Sequence, residues 1–232
     1  VVAVTLEETD LKSYIRNTAI CLLLTATGLA QAAPILRVSD GVTTVIVTDG
    51  SASDTYALAG VVGMSGTIGS WFLNVVIGIG HEVLGDQIHL TSLNATTTAG
   101  GVLTVEFTDP GFMNLGADPA VHFIGGIGGV TAGTVDYAMY VSDANTAFGT
   151  DALVGSGSGS GVFSRSFSDW ESVTGAYSMT LVARITHGSS GFPSATSIDF
   201  VGRVPEPGTL ALLGLALAGI GFAARRRCEL KN

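Results

Sequence analysis

Any chemistry in this chain has to come from four histidines, a scatter of carboxylates on turns and two tryptophans. His81-Glu82 begins like a zinc-hydrolase helix, but no second histidine follows at the spacing that HExxH requires. His89, His122 and His187 stand at no local metal-ligand spacing either, and each histidine reads as a surface or strand-end residue. Ser65 sits in Gly63-Met64-Ser65-Gly66-Thr67, where Thr67 replaces the last glycine of a nucleophile elbow. Gly125-Gly126-Ile127-Gly128-Gly129 has the composition of a phosphate loop without the Gly-Lys-Ser/Thr ending, so it reads as a strand-end turn. Acidic turns are the better candidates. Asp49 with Asp54, and Asp143 with Asn145 and Asp151, place oxygen side chains on loops of the kind calcium uses. Neither segment has EF-hand spacing, and Asp and Asn are the default turn residues, so the plain turn is the stronger reading and Ca2+ the one cofactor raised. Trp71 lies in an apolar strand and reads as core. Trp170, in Ser-Asp-Trp-Glu, is the candidate for an exposed ring that stacks on a sugar. No catalytic residue is assigned, and the chain reads as a non-enzyme.

These residues are carried on β-strands. Short β-branched runs alternate with clusters of Gly, Asp, Asn and Ser, which is the all-β pattern. Residues 42–48 read VTTVIVT and run into Asp49-Gly50, a strong turn signal. The period-2 rule puts Trp71, Leu73, Val75 and Ile77 on one face. It does the same for Ile88 and Leu90, for Leu103, Val105 and Phe107, for Val135, Tyr137, Met139 and Val141, and for Tyr177, Met179, Leu181, Ala183 and Ile185. Ser178, Thr180 and Arg184 face the other way. Nothing between residues 33 and 203 sustains the i, i+3, i+4, i+7 spacing of a helix. Nine or ten strands with one apolar face each predict an antiparallel β-sandwich, jelly-roll or immunoglobulin-like, with the topology left open. Residues 155–161, GSGSGSG, read as a long hairpin loop or a mobile flap.

Composition narrows the partners. The body, 33–203, has 14 acidic residues and only four basic ones, Arg37, Arg165, Arg184 and Arg203, a net charge of −10. Nucleic acid and anionic membranes are therefore poor partners. Cys21 and Cys228 both fall outside the body, which has no disulfide or thiol chemistry and must be held by burial and sheet hydrogen bonds.

The two ends carry the clearest physics. Lys12 and Arg16 precede a short apolar stretch, and Ala30-Gln31-Ala32 gives a small-residue cleavage pattern before Ala33. Residues 11–32 therefore predict a secretory signal helix, removed by signal peptidase. Residues 1–10 fit no part of such a signal; the expectation is that translation begins at Leu11 on a codon other than AUG. At the other end, Val204-Pro205-Glu206-Pro207-Gly208 is followed by an uncharged run, 209–224, by Arg225-Arg226-Arg227 and by a tail, 228–232. Residues 208–224 as a helix span roughly 25 Å, the short end of what crosses a bilayer. The arginines belong on the cytoplasmic side, which leaves the body outside. Pro205 and Pro207 stop the helix upstream and keep that segment extended.

This threefold arrangement of motif, apolar helix and Arg cluster over 204–227 resembles the PEP-CTERM sorting signal of exported Gram-negative bacterial proteins. The resemblance implies processing by exosortase, a transient stay at the inner membrane, and arrival at the cell surface or extracellular matrix. Residues 36–50, 54–74 and 177–187 also resemble a recurring group of PEP-CTERM proteins whose bodies imply fold and destination but no activity. The expected role is structural, or association with exopolysaccharide. The alternatives are a carbohydrate-binding or adhesion module and, further off, a secreted hydrolase. Low charge and many β-branched strands also favour self-assembly through strand edges. Mass spectrometry of the exported protein is expected to find an N-terminus at Ala33 and a C-terminus within 204–207. A peptide from residues 1–10 recovered from cells overturns the Leu11 start.

Overall fold

The structure is a computed structural model, and it describes residues 33–205 apart from 115, 117, 190 and 192. Among these described residues ten strands and one short helix follow one another: β1 (Ile35–Ser39), β2 (Thr44–Thr48), β3 (Val61–Ile68), β4 (Trp71–Ile79), α1 (His81–Leu84), β5 (Gln87–Thr97), β6 (Gly101–Met113), β7 (Ala120–Ser142), β8 (Ala152–Ser172), β9 (Ala176–His187) and β10 (Ser194–Arg203). All pairings are antiparallel. The strand order is β2-β1-β6-β9-β7-β10-β5-β4-β3, and β8 pairs with β7 alone. The all-β sandwich expected from the sequence is thus built from one continuous ladder. The signal helix and the C-terminal membrane helix fall outside the described residues.

One ladder makes two layers because β7 is too long to stay in one. Its 23 residues would span about 75 Å if straight, whereas a body of this size is about 40 Å across. β9 and β10 run one after the other along the same side of β7: β9 pairs with residues 134–142 and β10 with residues 124–131. On the other side β8 follows β7 throughout. The first layer is therefore β2-β1-β6-β9 with the second half of β7, and the second layer is β3-β4-β5-β10 with the first half. The β7/β8 hairpin bends between them where its register shifts, between Thr131 and Thr134. Gly161 sits at that bend with φ +59°, a conformation that costs most other residues energy.

The folded hairpin explains two segments that the sequence reading misassigned. Residues 155–161 are neither loop nor flap but part of β8. Their Gly/Ser alternation is a strand period. Gly155, Gly157 and Gly159 turn towards the Phe167, Tyr137 and Phe163 side chains, and any Cβ there would overlap these aromatic groups. Residues 125–129 are likewise not a strand-end turn; they lie inside β7, hydrogen-bonded to β10 and to β8. Gly125 leaves room for the ring of Phe167. Phe167 stacks on Tyr137, with centroids 5.8 Å apart, and meets Phe200 edge-on at 6.2 Å. Between the layers the same device recurs, with Phe107 over Gly78 and Met139 and Leu181 against Gly202.

The core runs from Leu36 to Phe200 and includes Trp71, as expected. The alternation predicted for β4 holds only for Trp71 and Leu73. Register shifts on β5 between Leu73 and Val75 and between Val75 and Ile77 flip the phase, so Val76 and Gly78 turn inward instead of Val75 and Ile77. In β9 the tyrosine-to-isoleucine face is buried as expected, but Ser178 and Thr180 are buried too, beneath the 143–151 loop.

Gly125→Ala is expected to lower unfolding free energy in urea by about 1–3 kcal/mol, the usual cost of overpacking. Ser156→Ala, on an exposed position of the same hairpin, should stay within about 0.5 kcal/mol of the parent.

Candidate functional site

The acidic turns are structural struts in this fold. Asp54 Oδ1 accepts the N–H groups of Tyr56 and Gly63 at 3.1 and 3.0 Å, and its Oδ2 accepts that of Gly50. Asp49 Oδ2 accepts the N–H of Gly60 at 2.8 Å. Asp143 Oδ1 accepts the backbone N–H of Thr174 at 2.6 Å, Asn145 Oδ1 that of Gly111 at 2.8 Å, and Asp151 Oδ2 the hydroxyl of Ser142 at 2.6 Å. Together with Phe148 N–H donating to Thr108 Oγ1, these bonds strap the 143–151 loop over the outer face of the first layer. The Arg37 guanidinium covers the Phe148 ring at 4.0 Å while its Nη2 donates to Glu106 Oε1 at 2.7 Å. Among the described residues no three His, Cys, Asp or Glu side chains gather as a metal site.

The histidines separate into buried and surface types, which the sequence did not distinguish. His81, on α1, is mostly buried, and its Nδ1 lies 2.8 Å from Oδ2 of Asp109, which is fully buried and also accepts the His81 N–H at 2.6 Å. That hydrogen bond is the main influence raising the His81 pKa, with burial opposing it and the charges of Asp109, Glu82 and Asp86 adding to it. Phe112 packs 4.6 Å from the His81 ring and stacks on Tyr177, whose hydroxyl burial holds in its protonated form. His187 is a buried strand-end residue, tilted against Trp71 at 5.1 Å, with Nε2 2.7 Å from Thr196 Oγ1. Burial pushes its pKa down, against a hydrogen bond that the ring donates to the Ser194 backbone.

The remaining two histidines belong to the outer face of the second layer, where a trough of about 520 Å³ runs across β5, β10, β7 and β8. Register builds it. Asp199, Gly128 and Ser164 form one row across three strands, Val201, Gly126 and Ser166 the next, and Arg203, Ile124 and Ser168 the third. Glycine and serine keep the middle of the face low, and longer side chains rise at its side. His89 Nε2 meets Asp199 Oδ1 at 2.7 Å. Arg203 has no carboxylate partner among the described residues. One row further along, His122 opposes Trp170. The two rings stack at 4.7 Å with 16° between their planes, and Trp170 stays 64% exposed. Trp170 is four residues from Ser166, or about 13 Å along the strand. The expectation that Trp170 is exposed is thus met. The trough beside it escaped the sequence reading because its floor joins Gly126 and Gly128, which read as part of a turn, to Ser164 and Ser166, to which no strand is assigned.

β10 leads straight into the sorting motif. Val204 N–H donates to the Asp86 carbonyl at 2.9 Å, and Pro205 follows as the last described residue. Glu206, Pro207, Gly208, the apolar run, Arg225, Arg226 and Arg227 lie outside the described residues, as do Ala30 and Ala32 of the signal cleavage site. Ala33 opens the described body.

Residues 203–227 match the PEP-CTERM protein-sorting motif, which marks the chain as an exported protein sorted by exosortase to the cell surface or extracellular space. No curated protein matches the chain by sequence. Among solved structures it is similar to the K1 cleaved adhesin domain of Lys-gingipain from Porphyromonas gingivalis W83, at 11% identity and a TM-score of 0.30, over 62% of this chain and 95% of that one. It is also similar to the enzymatically active domain of tailspike protein 4 from bacteriophage CBA120, at 14% identity and a TM-score of 0.27, over 60% of this chain and 20% of that one. A third is the CBM22-1–GH10 region of Clostridium thermocellum xylanase 10B, at 12% identity and a TM-score of 0.27, over 52% of this chain and 22% of that one. The chain thus spans about a fifth of the tailspike and xylanase chains, and scores this low carry no argument about activity.

The two buried histidines give the body a pH signature. His81, raised above the ordinary value of about 6.5, contributes stability that is complete below that value and is lost as pH rises through its folded pKa. His187, lowered, contributes stability that is complete above about 6.5 and is lost as pH falls towards its folded pKa. Urea midpoints measured across about pH 5 to 8 are expected to peak near the ordinary histidine value. His81→Gln should remove the fall on the alkaline side, and His187→Gln the fall on the acid side.

Proposed function

We propose that this PEP-CTERM sorting-domain protein is a non-enzymatic component of the cell surface or extracellular matrix that associates with exopolysaccharide. The observation that carries this reading is the trough on the second layer together with the Trp170 platform stacked on His122. A sugar chain lying along β8 would meet an exposed aromatic face at one end, where stacking on a C–H-rich ring face is favourable. Beyond it lies a floor of Gly126, Gly128, Ser164 and Ser166, low enough for close approach and rich in hydroxyl and backbone partners. Arg203 and His89 supply donors at the side, and Arg203 suits the carboxylate of an acidic sugar. The excess of acid elsewhere on the body repels such a polymer, which would confine contact to this face.

The alternative reading, a carbohydrate-binding or adhesion module with a defined oligosaccharide ligand, uses the same surface and draws on the same tryptophan. A hydrolase draws less support. Glycoside hydrolysis normally needs two carboxyl groups flanking the bond, and Asp199, already held by His89, is the one carboxylate lining the trough among the described residues.

Affinity electrophoresis through gels containing acidic and neutral polysaccharides is the direct test. Trp170→Ala is expected to weaken retardation about tenfold, with no change in the unfolding midpoint and no release of reducing ends by either protein. Equal retardation of parent and variant overturns the reading, and release of reducing ends by the parent moves it to the hydrolase.

A further inference from the structure

The described body has three strand edges without a neighbour, and they are not alike. β2 is five residues long, and β3 is eight with a register irregularity between Met64 and Gly66; short length and bulges are the ordinary means of blunting an edge. β8 is 21 residues long and pairs with β7 alone. Its second half, residues 161–172, follows β7 from Thr131 back to Ala120 with no register shift, so it presents a straight outer row of backbone donors and acceptors, in which the Ser164 carbonyl accepts from the Arg165 side chain and the Trp170 N–H donates to Asp169 Oδ1 until a second strand replaces them. No proline interrupts it.

The charges on this half are arranged for one occupant. Arg165, Asp169 and Glu171 are its charged residues, and all three lie on alternate positions with Phe163 and Phe167. A second copy paired antiparallel about a two-fold axis through Phe167 sets Arg165 opposite Asp169 of the copy, and Asp169 opposite Arg165 of the copy. Glu171 then lies diagonal to the same arginine, within reach of a long side chain. On the other face Ser166 opposes Ser168, and Ser164 opposes Trp170. No like charges meet. Gly155, in the other layer, packs under Phe167, so the same axis passes the first half of β8, where residues 152–160 carry no charge to repel their copy.

We propose that β8 is a homodimerisation edge, joining the second layers of two copies into one continuous sheet through the antiparallel pairing of residues 162–172. Residue-centred two-fold pairing closes on itself, so the product is a dimer rather than a filament. It sets the Trp170 end of one trough beside the serine rim of the other. The pairing itself does not depend on what the trough binds.

The test uses the full chain in detergent micelles. Sedimentation equilibrium is expected to show a dimer. Arg165→Asp and Asp169→Arg, both at exposed positions, should each raise its dissociation constant about tenfold, and the double variant should recover towards the parent. In a Cys21→Ser, Cys228→Ser background, a mixture of Ser166→Cys and Ser168→Cys chains should oxidise to a covalent dimer. A mixture of Ser166→Cys and Thr44→Cys chains, which probes the β2 edge instead, should not. Near-UV circular dichroism confirms that each variant is folded. A monomer at all concentrations, a dimer indifferent to both charge reversals, or equal cross-linking in the two mixtures overturns the proposal.

Discussion

The seating of aromatic rings on bare glycine backbone is the contact that the rest of this structure depends on. A hairpin of more than 20 residues a side has to fold over to fit a body of this size, and folding brings its own two halves face to face. Phe167 from one half lies on Gly155 of the other and on Gly125 of the neighbouring strand, while Phe163 lies on Gly159. A side chain at any of these glycines would hold the halves apart. The two layers would then lose the shared strand that joins them, and Tyr137 and Phe200 would lose the ring that links them. Without disulfides, the closure rests on this shape match and on the ladder hydrogen bonds.

Much of the fold was legible in the sequence because period-2 alternation is a local property. The inward faces of β6, β7 and β9 and of the start of β5 follow from it, as does the burial of Trp71, while the exposure of Trp170 follows from its polar neighbours. What escaped had non-local causes. Gly-Ser alternation has the same composition as a linker, and only the rings that fill the glycine side show it to be a strand. The phase of β4 depends on register against β5, which local pattern does not encode. Burial of Ser178 and Thr180 depends on a loop arriving from residues 143–151, tied down by Asp and Asn side chains that local reading assigns equally well to turns or to calcium. The trough was illegible for the same reason: its rows collect residues from four strands, and its floor is defined by what those residues lack.

Buried polar groups are concentrated at one end of the first layer and at the rim of the core rather than at its centre. Asp109 receives both the backbone and the ring of His81, and Thr108 shares a hydroxyl contact of 2.9 Å with Thr180. At the other end Thr131, Thr196 and His187 form a small closed set, with Thr131 and Thr196 hydroxyls 2.6 Å apart. Such clusters add little net stability, but they penalise displaced registers heavily, because a slip leaves a buried group unpaired. In a ladder of ten strands with much glycine, that penalty does the work of specifying one arrangement.

The place where the chain leaves the fold has a mechanical consequence. β10 lies between β5 and β7, both antiparallel to it, and Val204, the first residue of the sorting motif, donates its N–H to Asp86 in the turn after α1. Tension applied through the tail therefore runs along the axis of an interior strand. It is resisted by two flanking ladders sheared together instead of being unzipped one bond at a time. A polypeptide tugged from that end while held at a membrane, or cut just beyond Val204, keeps its sheet closed up to the residue where the motif begins.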